Sequence, residues 1–382
     1  MNDKIAPRAL IAGGSLGGLF TALTLRAIGW RVDVFERSPH ALDSRGGGIV
    51  LQPEVLHAFD FAGLRAPGTL GVRSGDRIFL DRAGNVVQRG YQPQTQTSWN
   101  MLYGTMRAAL PDACVHAGET LVGFEQAGGQ VRVRFASGRV ETGDLLVGAD
   151  GARSSVRAQL LPGLAPHYAG YVAWRGLVPE MALDEASRAR LAGVFAFQQG
   201  DGHMLLEYLV PGERGEVEPG QRRWNWVWYR KVAEADLGAL LTDRDGRRHP
   251  FSLPPGALPD APVASLRAQA RDELAPPFAS LVELTDETFV QAILDLAAPR
   301  MVFGRVVLLG DAAFVPRPHT AGSTAKAASN ALALAQSLQR EDLKIDACLQ
   351  EWETLQLRAG RAMTAWGQRM GDQIMGLAPA SP

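Results

Sequence analysis

Five residues near the amino terminus have the types and spacing that bind a pyrophosphate, namely Gly13, Gly14, Ser15, Leu16 and Gly18. Glycines let a backbone approach the phosphates closely, and the amino end of a following helix supplies N–H donors and a positive dipole. A carboxylate, Glu36, stands about 18 residues beyond Gly18, where such an acid accepts hydrogen bonds from a ribose. Ser15 takes the place where a second glycine is usual. Together these residues predict a dinucleotide-binding turn.

The surrounding pattern supplies the elements that such a turn needs. An apolar run at 9–12 precedes the glycines, a helical pattern at 19–28 follows them, and a second apolar run at 32–35 leads to Glu36. Strand, helix and strand in this order form a βαβ unit, with the glycine turn between the first strand and the helix. A further helix is expected from Pro53.

Two later segments share one form, an apolar strand that ends in a small residue and an aspartate. They lie at 144–157 and 308–313, and their aspartates are Asp150 and Asp311. An aspartate at the carboxyl end of a buried strand lies in the crevice where open α/β sheets bind ligands. The structural alternative for each is an N-cap of the next helix. Together with the glycine turn, these two segments give three signals in one chain, which favours ligand binding.

The composition excludes several classes of protein. Lys and Arg (39) nearly balance Asp and Glu (40), so nothing in the sequence indicates binding to nucleic acid or an anionic membrane. The two cysteines, Cys114 and Cys348, are far apart and lack metal-ligand spacing, which predicts a reducing cytoplasm without a disulfide framework or metal site. No apolar run of about 18 residues predicts a membrane span, and the first apolar stretch lacks the basic region of a signal peptide.

The middle of the chain differs from both ends. Strands with aromatic residues at alternate positions begin near Tyr168, and a hairpin is expected over 76–92. A buried strand ending in Gly-Asp returns at 305–311, and helices are expected from there to about Met375. The pattern predicts an α/β protein with a mostly antiparallel sheet inserted into a discontinuous dinucleotide-binding domain. The expected division is 1–75 with 99–167 and 296–375 for that domain, and 76–98 with 168–295 for a substrate-binding sheet domain.

The three motifs, in this order, resemble the signature of the single-component FAD-dependent aromatic hydroxylases, over nearly the whole chain. The resemblance implies a Rossmann-like FAD domain of the p-hydroxybenzoate hydroxylase type, with NADH or NADPH as a transient electron donor. It also implies hydroxylation of an electron-rich ring with O2 through a flavin hydroperoxide. The implied FAD contacts are Gly13, Gly14, Ser15, Leu16 and Gly18 at the pyrophosphate, Glu36 and Arg37 toward the adenosine half, Arg45 and Arg107 at the phosphate or ribityl region, Asp150 and Arg153 in the Asp-Gly motif, and Gly310, Asp311 and Gly322 near the ribityl chain and the flavin ring.

Within the family, the chain is most similar to the 2,6-dihydroxypyridine 3-monooxygenase branch, through segments at 174–176, 225–230, 289–293 and 317–322. This likeness implies a hydroxylated pyridine as the aromatic substrate. Three features depart from the wider family: Phe314 stands where a histidine is common, 323–326 replaces a glycine-rich segment, and Asn330 replaces a frequent aspartate. These departures affect the expected contacts of the flavin ring more than flavin binding itself.

The base that removes a proton from a ring hydroxyl is left open among three residues. His319 is the first choice because it follows Pro318, where the family brings flavin and substrate together. His203 and Tyr229 come next because their strands are expected to face a cavity. Such a base contributes ~10²–10⁴-fold to the rate. For each of the three, a packed or hydrogen-bonded structural role is the alternative.

The candidate substrate contacts are Arg175, Trp226 and Pro318. Arg175 has the charge to hold an anionic ring oxygen. Trp226 shares one face of a strand with Trp224 and Trp228, because alternate residues of a strand point the same way. Packing is the favoured alternative for these three indoles.

Three other functions stay open at this point. A flavin halogenase would carry Trp-x-Trp-x-Ile-Pro, which the segment 224–229 matches only in part. A non-oxygenating flavin reductase or dehydrogenase would oxidise NAD(P)H without a hydroxylated product. A nucleotide-binding regulator needs no enclosed apolar pocket, so the aromatic sheet argues against it. The sequence determines neither the exact aromatic substrate nor the oligomeric state, and a homodimer is allowed.

Overall fold

The structure, a computed structural model, describes residues 6–40, 42, 47–65, 68–340 and 342–377. In chain order its strands are β1 (Arg8–Ala12), β2 (Arg31–Glu36), β3 (Gly48–Val50), β4 (Val72–Leu80), β5 (Val86–Ser98), β6 (Val115–Ala117), β7 (Leu121–Ala127), β8 (Gln130–Phe135), β9 (Val140–Gly143), β10 (Leu145–Gly148), β11 (His167–Pro179), β12 (Val194–Gly200), β13 (His203–Val210), β14 (Arg223–Lys231), β15 (Ser252–Leu253), β16 (Phe289–Ala297), β17 (Val302–Phe303), β18 (Val306–Leu308) and β19 (Phe314–Val315). Its α-helices are α1 (Leu16–Ala27), α2 (Pro53–Phe61), α3 (Trp99–Ala108), α4 (Ser155–Leu160), α5 (Glu185–Leu191), α6 (Glu234–Leu240), α7 (Asp260–Glu273), α8 (Pro276–Glu283), α9 (Ser323–Leu338) and α10 (Ile345–Met375).

A six-stranded sheet in the order β17-β18-β10-β1-β2-β6 carries the glycine turn and both aspartate motifs. All of its pairs are parallel except β17 with β18. Its central strands β1, β10 and β18 are buried along almost their whole length, which explains their continuous apolar runs. Parallel strands end together at one edge, so the three motifs that follow them are brought to the same place.

A second, larger sheet has the order β15-β16-β11-β14-β13-β12-β4-β5-β3, with β19 paired to β16. Its pairs are antiparallel except β12 with β4. Because strand residues alternate between faces, its buried side chains form two separate hydrophobic clusters. Residues of α7 and α8 complete one cluster, and Met375 at the end of α10 joins the other. The α/β fold with an inserted, mostly antiparallel sheet is thereby confirmed.

Two places in the chain show where the sheets divide. Strands β9 and β10 follow each other closely in the chain but belong to different sheets. The chain turns between them at Asp144, whose Oδ2 accepts a hydrogen bond from Arg8 N at 2.8 Å. Residues 48–50 and 72–75, expected in the dinucleotide-binding domain, form strands of the large sheet. The division of the chain into two domains stays a prediction.

Three further features of the described residues concern membrane spans, metal ligands and cysteines. Within the described ranges, no helix is long and apolar enough to cross a membrane. In those same residues, no group of three or more His, Cys, Asp or Glu side chains could hold a metal ion. Cys114 and Cys348 are both unpaired.

Candidate active site

The three motifs meet at the carboxyl edge of the six-stranded sheet. Strands β1, β10 and β18 are neighbours there. Gly17, in the first turn of α1, marks the meeting point, since a Cβ on it would lie 3.6 Å from Leu309 Cδ1 and 4.0 Å from Ala149 Cβ. The same Cβ would lie 3.8 Å from Ala327 Cβ in α9. The glycine turn, the Asp-Gly motif, the Gly-Asp motif and α9 therefore meet at one place, where open α/β sheets have their ligand-binding crevice.

The glycine turn depends on close backbone contacts. Gly13 has a φ of 108°, and a Cβ on it would lie 2.4 Å from the Ala149 carbonyl oxygen. A Cβ on Gly18 would lie 1.9 Å from the Gly13 carbonyl oxygen, so a side chain fits at neither position. Ser15 is the N-cap of α1 but its side chain makes no capping hydrogen bond, and Leu16 is the first helical residue. The first N–H groups of α1 thus remain available to an anionic ligand.

Glu36 ends β2, and its carboxylate contacts the turn directly. Oε2 accepts a hydrogen bond from Gly14 N at 2.8 Å, and Oε1 accepts one from Ser38 N at 2.9 Å. A carboxylate has about four lone-pair sites, so each oxygen keeps one for a ribose hydroxyl. Arg37 beside it is exposed, and Arg45 lies outside the described residues. Glu36 therefore braces the turn and can still accept from a ligand.

Asp150 takes the N-cap role considered for it, and its ligand-binding role stays a prediction. Its Oδ2 accepts hydrogen bonds from Ser155 N at 2.7 Å and Val156 N at 3.2 Å, which caps the start of α4. Its Oδ1 is buried and has no hydrogen-bond partner among the described residues, and burial raises the pKa of this carboxyl. A buried oxygen of this kind suits a ligand hydroxyl or a water. Arg153 in the same loop is exposed.

Arg157 links two motifs, although the sequence analysis gave it no role. Only 3% of it is exposed. Its Nη2 donates to Ala152 O at 2.5 Å in the Asp-Gly loop, and its Nη1 donates to Ala312 O at 3.0 Å in the Gly-Asp turn. The sequence holds no signal for this role, because the partners of Arg157 are two backbone carbonyls. Arg157 fixes the two loops relative to each other.

The Gly-Asp turn is held by two side chains of α9. Gly310 has a φ of 62°, and its N–H donates to Asn330 Oδ1 at 3.0 Å. Asp311 Oδ1 accepts from Lys326 Nζ at 2.7 Å, and the Asp311 side chain is 43% exposed. In the sequence, 323–326 and Asn330 differ from the wider family, and only the structure shows that Lys326 and Asn330 contact the turn.

Helix α9 begins at the crevice through a strained turn. Ala321 has a φ of 51°, which makes it the one non-glycine residue with a positive φ in the described part of the chain. Such strain persists where the surroundings impose it, and it clusters at functional sites. Gly322 is the N-cap, and no acidic side chain occupies the first turn. The amino end of α9 therefore offers N–H donors and a positive dipole.

The two faces of the large sheet differ in the side chains that they present to the rest of the protein. We call one the site face, which carries Tyr171, Ala173, Arg175, Asn225 and Tyr229. We call the other the tryptophan face, which carries Trp224, Trp226, Trp228, His203 and Glu207. The register of β11, β13 and β14 is continuous over these residues, so alternate positions keep to one face.

His319 lies against the site face. Its Nε2 is 2.9 Å from Tyr171 Oη, and its ring centroid is 4.4 Å from that of Tyr229. Its Nδ1 is buried and has no hydrogen-bond partner among the described residues. Burial and the nearby Arg317 lower the pKa of His319 to about 4, so the ring is neutral at pH 7. His319 and Tyr229, two of the three candidate bases, are therefore together.

Tyr171 is a further polar group that the sequence analysis did not propose. Its ring centroid lies 5.6 Å from the guanidinium carbon of Arg317. Arg317 is itself held by Asp295 at 2.8 Å and Asp372 at 2.7 Å. A Cβ on Gly371 would lie 2.6 Å from Tyr171 Oη, so α10 passes over this hydroxyl only because a glycine stands there. Burial raises the pKa of Tyr171, which keeps the hydroxyl protonated.

Arg175 and Asn225 form a second polar group on the site face. Asn225 is fully buried, its Oδ1 accepts from Gly48 N at 2.7 Å, and its Nδ2 has no partner among the described residues. Arg175 Nε is also buried without a partner in that set, while its Nη1 donates to Gln291 Oε1 at 3.5 Å. The available signal for Asn225 was an amide at an odd position in a strand with tryptophans at the even ones.

Trp226 and His203 lie on the tryptophan face, so their predicted substrate and catalytic roles do not fit the structure. Trp226 packs with residues of α7 and α8, and its Nε1 donates to Thr285 Oγ1 at 2.8 Å. His203 Nδ1 accepts from Trp228 Nε1 at 3.1 Å. The strand alternation turns both side chains away from His319. Both side chains are packed and hydrogen-bonded in the core, as the structural alternative for them proposed.

Arg107 and Pro318 are the two remaining predicted residues of the site. Arg107 is half-buried at the end of α3, where it donates to Leu110 O at 3.1 Å and to Asp112 Oδ1 at 2.6 Å. Pro318 is exposed. Their roles toward cofactor and substrate stay predictions.

Comparison with known proteins settles the family. A sequence model described as FAD binding domain-like matches residues 168–295, the span of β11 to β16. The 2,6-dihydroxypyridine 3-monooxygenase of Paenarthrobacter nicotinovorans is 35% identical over 97% of this chain and 91% of that protein. The chain belongs to the FAD-dependent aromatic-ring monooxygenases. The structure of 2,6-dihydroxypyridine-3-hydroxylase from Arthrobacter nicotinovorans has a TM-score of 0.91 at 34% identity, over 99% of this chain and 95% of that one. The 6-hydroxynicotinate 3-monooxygenase of Bordetella bronchiseptica is 28% identical over 88% of this chain and 84% of that protein.

The residues around the crevice fit FAD, the cofactor of this family. Gly13 and Gly18 leave the space that a pyrophosphate needs, and the amino end of α1 has free donors. Glu36 keeps lone pairs for a ribose, and Asp150 Oδ1 lacks a partner among the described residues. An FAD-dependent monooxygenase that uses NAD(P)H, O2 and an aromatic substrate is thus confirmed as the class of enzyme. Which residue contacts which part of FAD stays a prediction.

Proposed function

We propose that this monooxygenase hydroxylates a pyridine that carries two ring oxygens. The observation that supports this most is a set of three buried polar atoms on one side of the sheet, His319 Nδ1, Arg175 Nε and Asn225 Nδ2, each without a partner among the described residues. Buried polar groups are normally hydrogen-bonded, so a ligand with acceptors at two ends would satisfy them. A dihydroxypyridine has ring oxygens of this kind. The relative from Paenarthrobacter nicotinovorans is named for such a compound.

The spacing along β11 suits a single aromatic ring. Tyr171, Ala173 and Arg175 share the site face, and Ala173 is opposite Tyr229 in the sheet register. Strand residues rise about 3.3 Å each, so Tyr171 and Arg175 are roughly 13 Å apart at their backbones, with the small Ala173 between them. The two polar groups thus flank a position where the side chain is only a methyl group.

His319 and Tyr171 provide a hydrogen bond that accommodates a ring hydroxyl or a ring oxyanion. When Tyr171 Oη donates to Nε2, His319 Nδ1–H donates to the oxyanion, and the other tautomer accepts from the hydroxyl. Because the pKa of His319 is lowered to about 4, the neutral ring holds the oxygen without adding a charge. His319 alone is therefore a weak base, and its hydrogen bond favours a substrate that already ionises readily. Bound FAD supplies the redox chemistry, which is hydride acceptance from NAD(P)H and activation of O2.

A substrate panel tests this proposal. We expect 2,6-dihydroxypyridine to stimulate NAD(P)H oxidation with one hydroxylated product formed per NAD(P)H. The matched controls are 6-hydroxynicotinate and salicylate, which carry a carboxylate, and they should stimulate less. Coupled hydroxylation of a carboxylated ring in preference to the dihydroxypyridine contradicts the substrate assignment. Peroxide without any hydroxylated product from all three compounds would favour a non-oxygenating reductase.

The FAD contacts are tested at Glu36. Charge-assisted hydrogen bonds to a carboxylate contribute about 1.5–3 kcal/mol, so Glu36→Ala should weaken FAD binding roughly 10- to 100-fold. Glu36→Gln is the matched control, because it keeps an acceptor for Gly14 N but loses the charge. The parent protein should be yellow and should release intact FAD in acid. An FAD dissociation constant that Glu36→Ala leaves unchanged argues that Glu36 serves the turn alone.

We also propose a cytoplasmic location, because two unpaired cysteines suit a reducing compartment.

We propose a homodimer as well. Leu355 and Trp366 are 66% and 46% exposed on α10, which supports a contact between two copies. Sedimentation of the holoenzyme and of Trp366→Glu tests the contact, since the variant should be monomeric at concentrations where the parent protein dimerises.

A further inference from the structure

A buried ammonium group lies in the first turn of α9. The Lys326 side chain is 3% exposed, and its Nζ donates to Asp311 Oδ1 at 2.7 Å and closely to Phe314 O. Lysine is rarely this buried, and a cation is disfavoured at the amino end of a helix. Burial lowers the pKa of Lys326, and the carboxylate of Asp311 opposes that change. The burial of Lys326 and its place at the amino end of a helix are therefore both unfavourable, and its contacts with Asp311 and Phe314 oppose them.

Lys326 contacts one carboxylate oxygen of its partner, Asp311. Asp311 is 43% exposed, and its Oδ1 is the oxygen that Lys326 contacts. Asn330, one helical turn after Lys326, accepts from Gly310 N at 3.0 Å and donates from Nδ2 to Gln356 Oε1 at 2.8 Å. Residues four apart lie on the same face of a helix, so α9 presents both side chains to the turn. The carboxylate is thus fixed through Oδ1 from the protein side, while nearly half of the Asp311 side chain stays exposed.

We propose that Lys326 is a positioning residue for the flavin, because it holds Asp311 in the orientation that accepts hydrogen bonds from the ribityl chain. The proposal rests on the predicted contact between Asp311 and FAD. An Asp311 without this partner would turn toward solvent, because nearly half of its side chain is exposed. The ammonium also adds a positive charge to the amino end of α9, which favours the reduced, anionic form of the flavin.

A double-mutant cycle on the holoenzyme tests this coupling. We expect Lys326→Met to weaken FAD binding about tenfold and Asp311→Asn roughly 10- to 100-fold. The double variant should bind FAD no more weakly than Asp311→Asn alone, because Lys326 acts through that carboxylate. Lys231→Met is the matched control, since Lys231 is exposed and contacts Gly376 O instead. It should leave the FAD dissociation constant unchanged.

A second readout separates this role from simple support of the fold. The midpoint potential of the bound flavin should become more negative in Lys326→Met and stay at the parent value in Lys231→Met. Parent-like FAD affinity and potential in Lys326→Met overturn the proposal, as do fully additive effects in the cycle. If Lys326→Met does not fold, Lys326→Met with Asp311→Asn removes both charges, and it should bind FAD as Asp311→Asn does. An Asp311→Asn variant that binds FAD like the parent protein would instead reject the contact of Asp311 with the flavin.

Discussion

The site face and the tryptophan face are made by alternate residues of the same strands. Their buried polar atoms differ in whether they have hydrogen-bond partners within the protein. On the tryptophan face the three indole N–H groups of Trp224, Trp226 and Trp228 all have acceptors in the protein. On the site face Arg175 Nε and Asn225 Nδ2 have none among the described residues, and neither has Nδ1 of His319, which lies against that face.

This difference shows how to tell packing from binding in an aromatic sheet. A side chain whose donors and acceptors are already paired within the core has few hydrogen bonds to offer a ligand. A buried side chain with an unpaired polar atom is stabilised when a ligand or a water forms the missing hydrogen bond. Glu207 is the exception on the tryptophan face, since neither of its carboxylate oxygens has a partner among the described residues.

The largest expected effect is on stability at the tryptophan face. Trp226→Ala should lower the free energy of unfolding by about 3–5 kcal/mol, because a fully buried indole is removed and a cavity remains. Urea unfolding of the FAD-bound protein measures this. Trp226→Phe, the milder variant, should retain the parent KM for the aromatic substrate. A changed KM with parent-like stability in Trp226→Phe would place Trp226 in the substrate site after all.

Two histidines on opposite faces give the next test. His319→Ala should reduce hydroxylation by ~10²-fold or more while FAD still binds and is still reduced, so that peroxide accumulates. His203→Ala removes the acceptor of Trp228 Nε1, so it should lower the free energy of unfolding. It should leave the coupling of NAD(P)H oxidation to hydroxylation unchanged. The measurement is product formed per NAD(P)H oxidised. Equal coupling in parent and His319→Ala would pass the catalytic role to Tyr229, and Tyr229→Phe in the same assay decides.

A third prediction concerns Glu207, which is fully buried. Burial raises its pKa well above the usual range, so the folded protein binds a proton that the unfolded chain releases near pH 4.3. Stability contributed by this group is therefore lost as the pH rises above that value. Glu207→Gln should raise the free energy of unfolding by about 1–3 kcal/mol at pH 8 and change it little at pH 4. A gain that does not grow with pH contradicts this account.

The smallest expected effect has the opposite pH direction. His319 titrates at about 4 in the folded protein and near 6.5 when unfolded, so the unfolded chain binds more protons between these values. Stability is therefore lost as the pH falls from about 6.5 to 4. His319→Gln should flatten this part of the stability profile, because it removes the group that titrates there. An identical slope in parent and variant would mean that His319 is protonated at an ordinary pH.

Much of the crevice could be predicted from the sequence because its signals are local. Gly13, Gly18 and Glu36 lie within one βαβ unit, where spacing along the chain fixes spacing in space. Asp150 and Asp311 could be added because each follows a recognisable buried strand. Lys326 and Arg157 gave no such signal, since their importance comes from the carbonyls and carboxylate that they reach in other loops.

The sequence by itself determined the order of elements, the family and the alternation that puts Trp224, Trp226 and Trp228 on one face. It left the two faces equivalent, because a period of two does not say which face a distant helix will cover. Only the tertiary structure decided this, by packing α7 and α8 on one face and by bringing His319 to Tyr171, 148 residues away, on the other. Hydrogen-bond partners that far apart in the chain are set by the packing of whole sheets and helices, which no local spacing records.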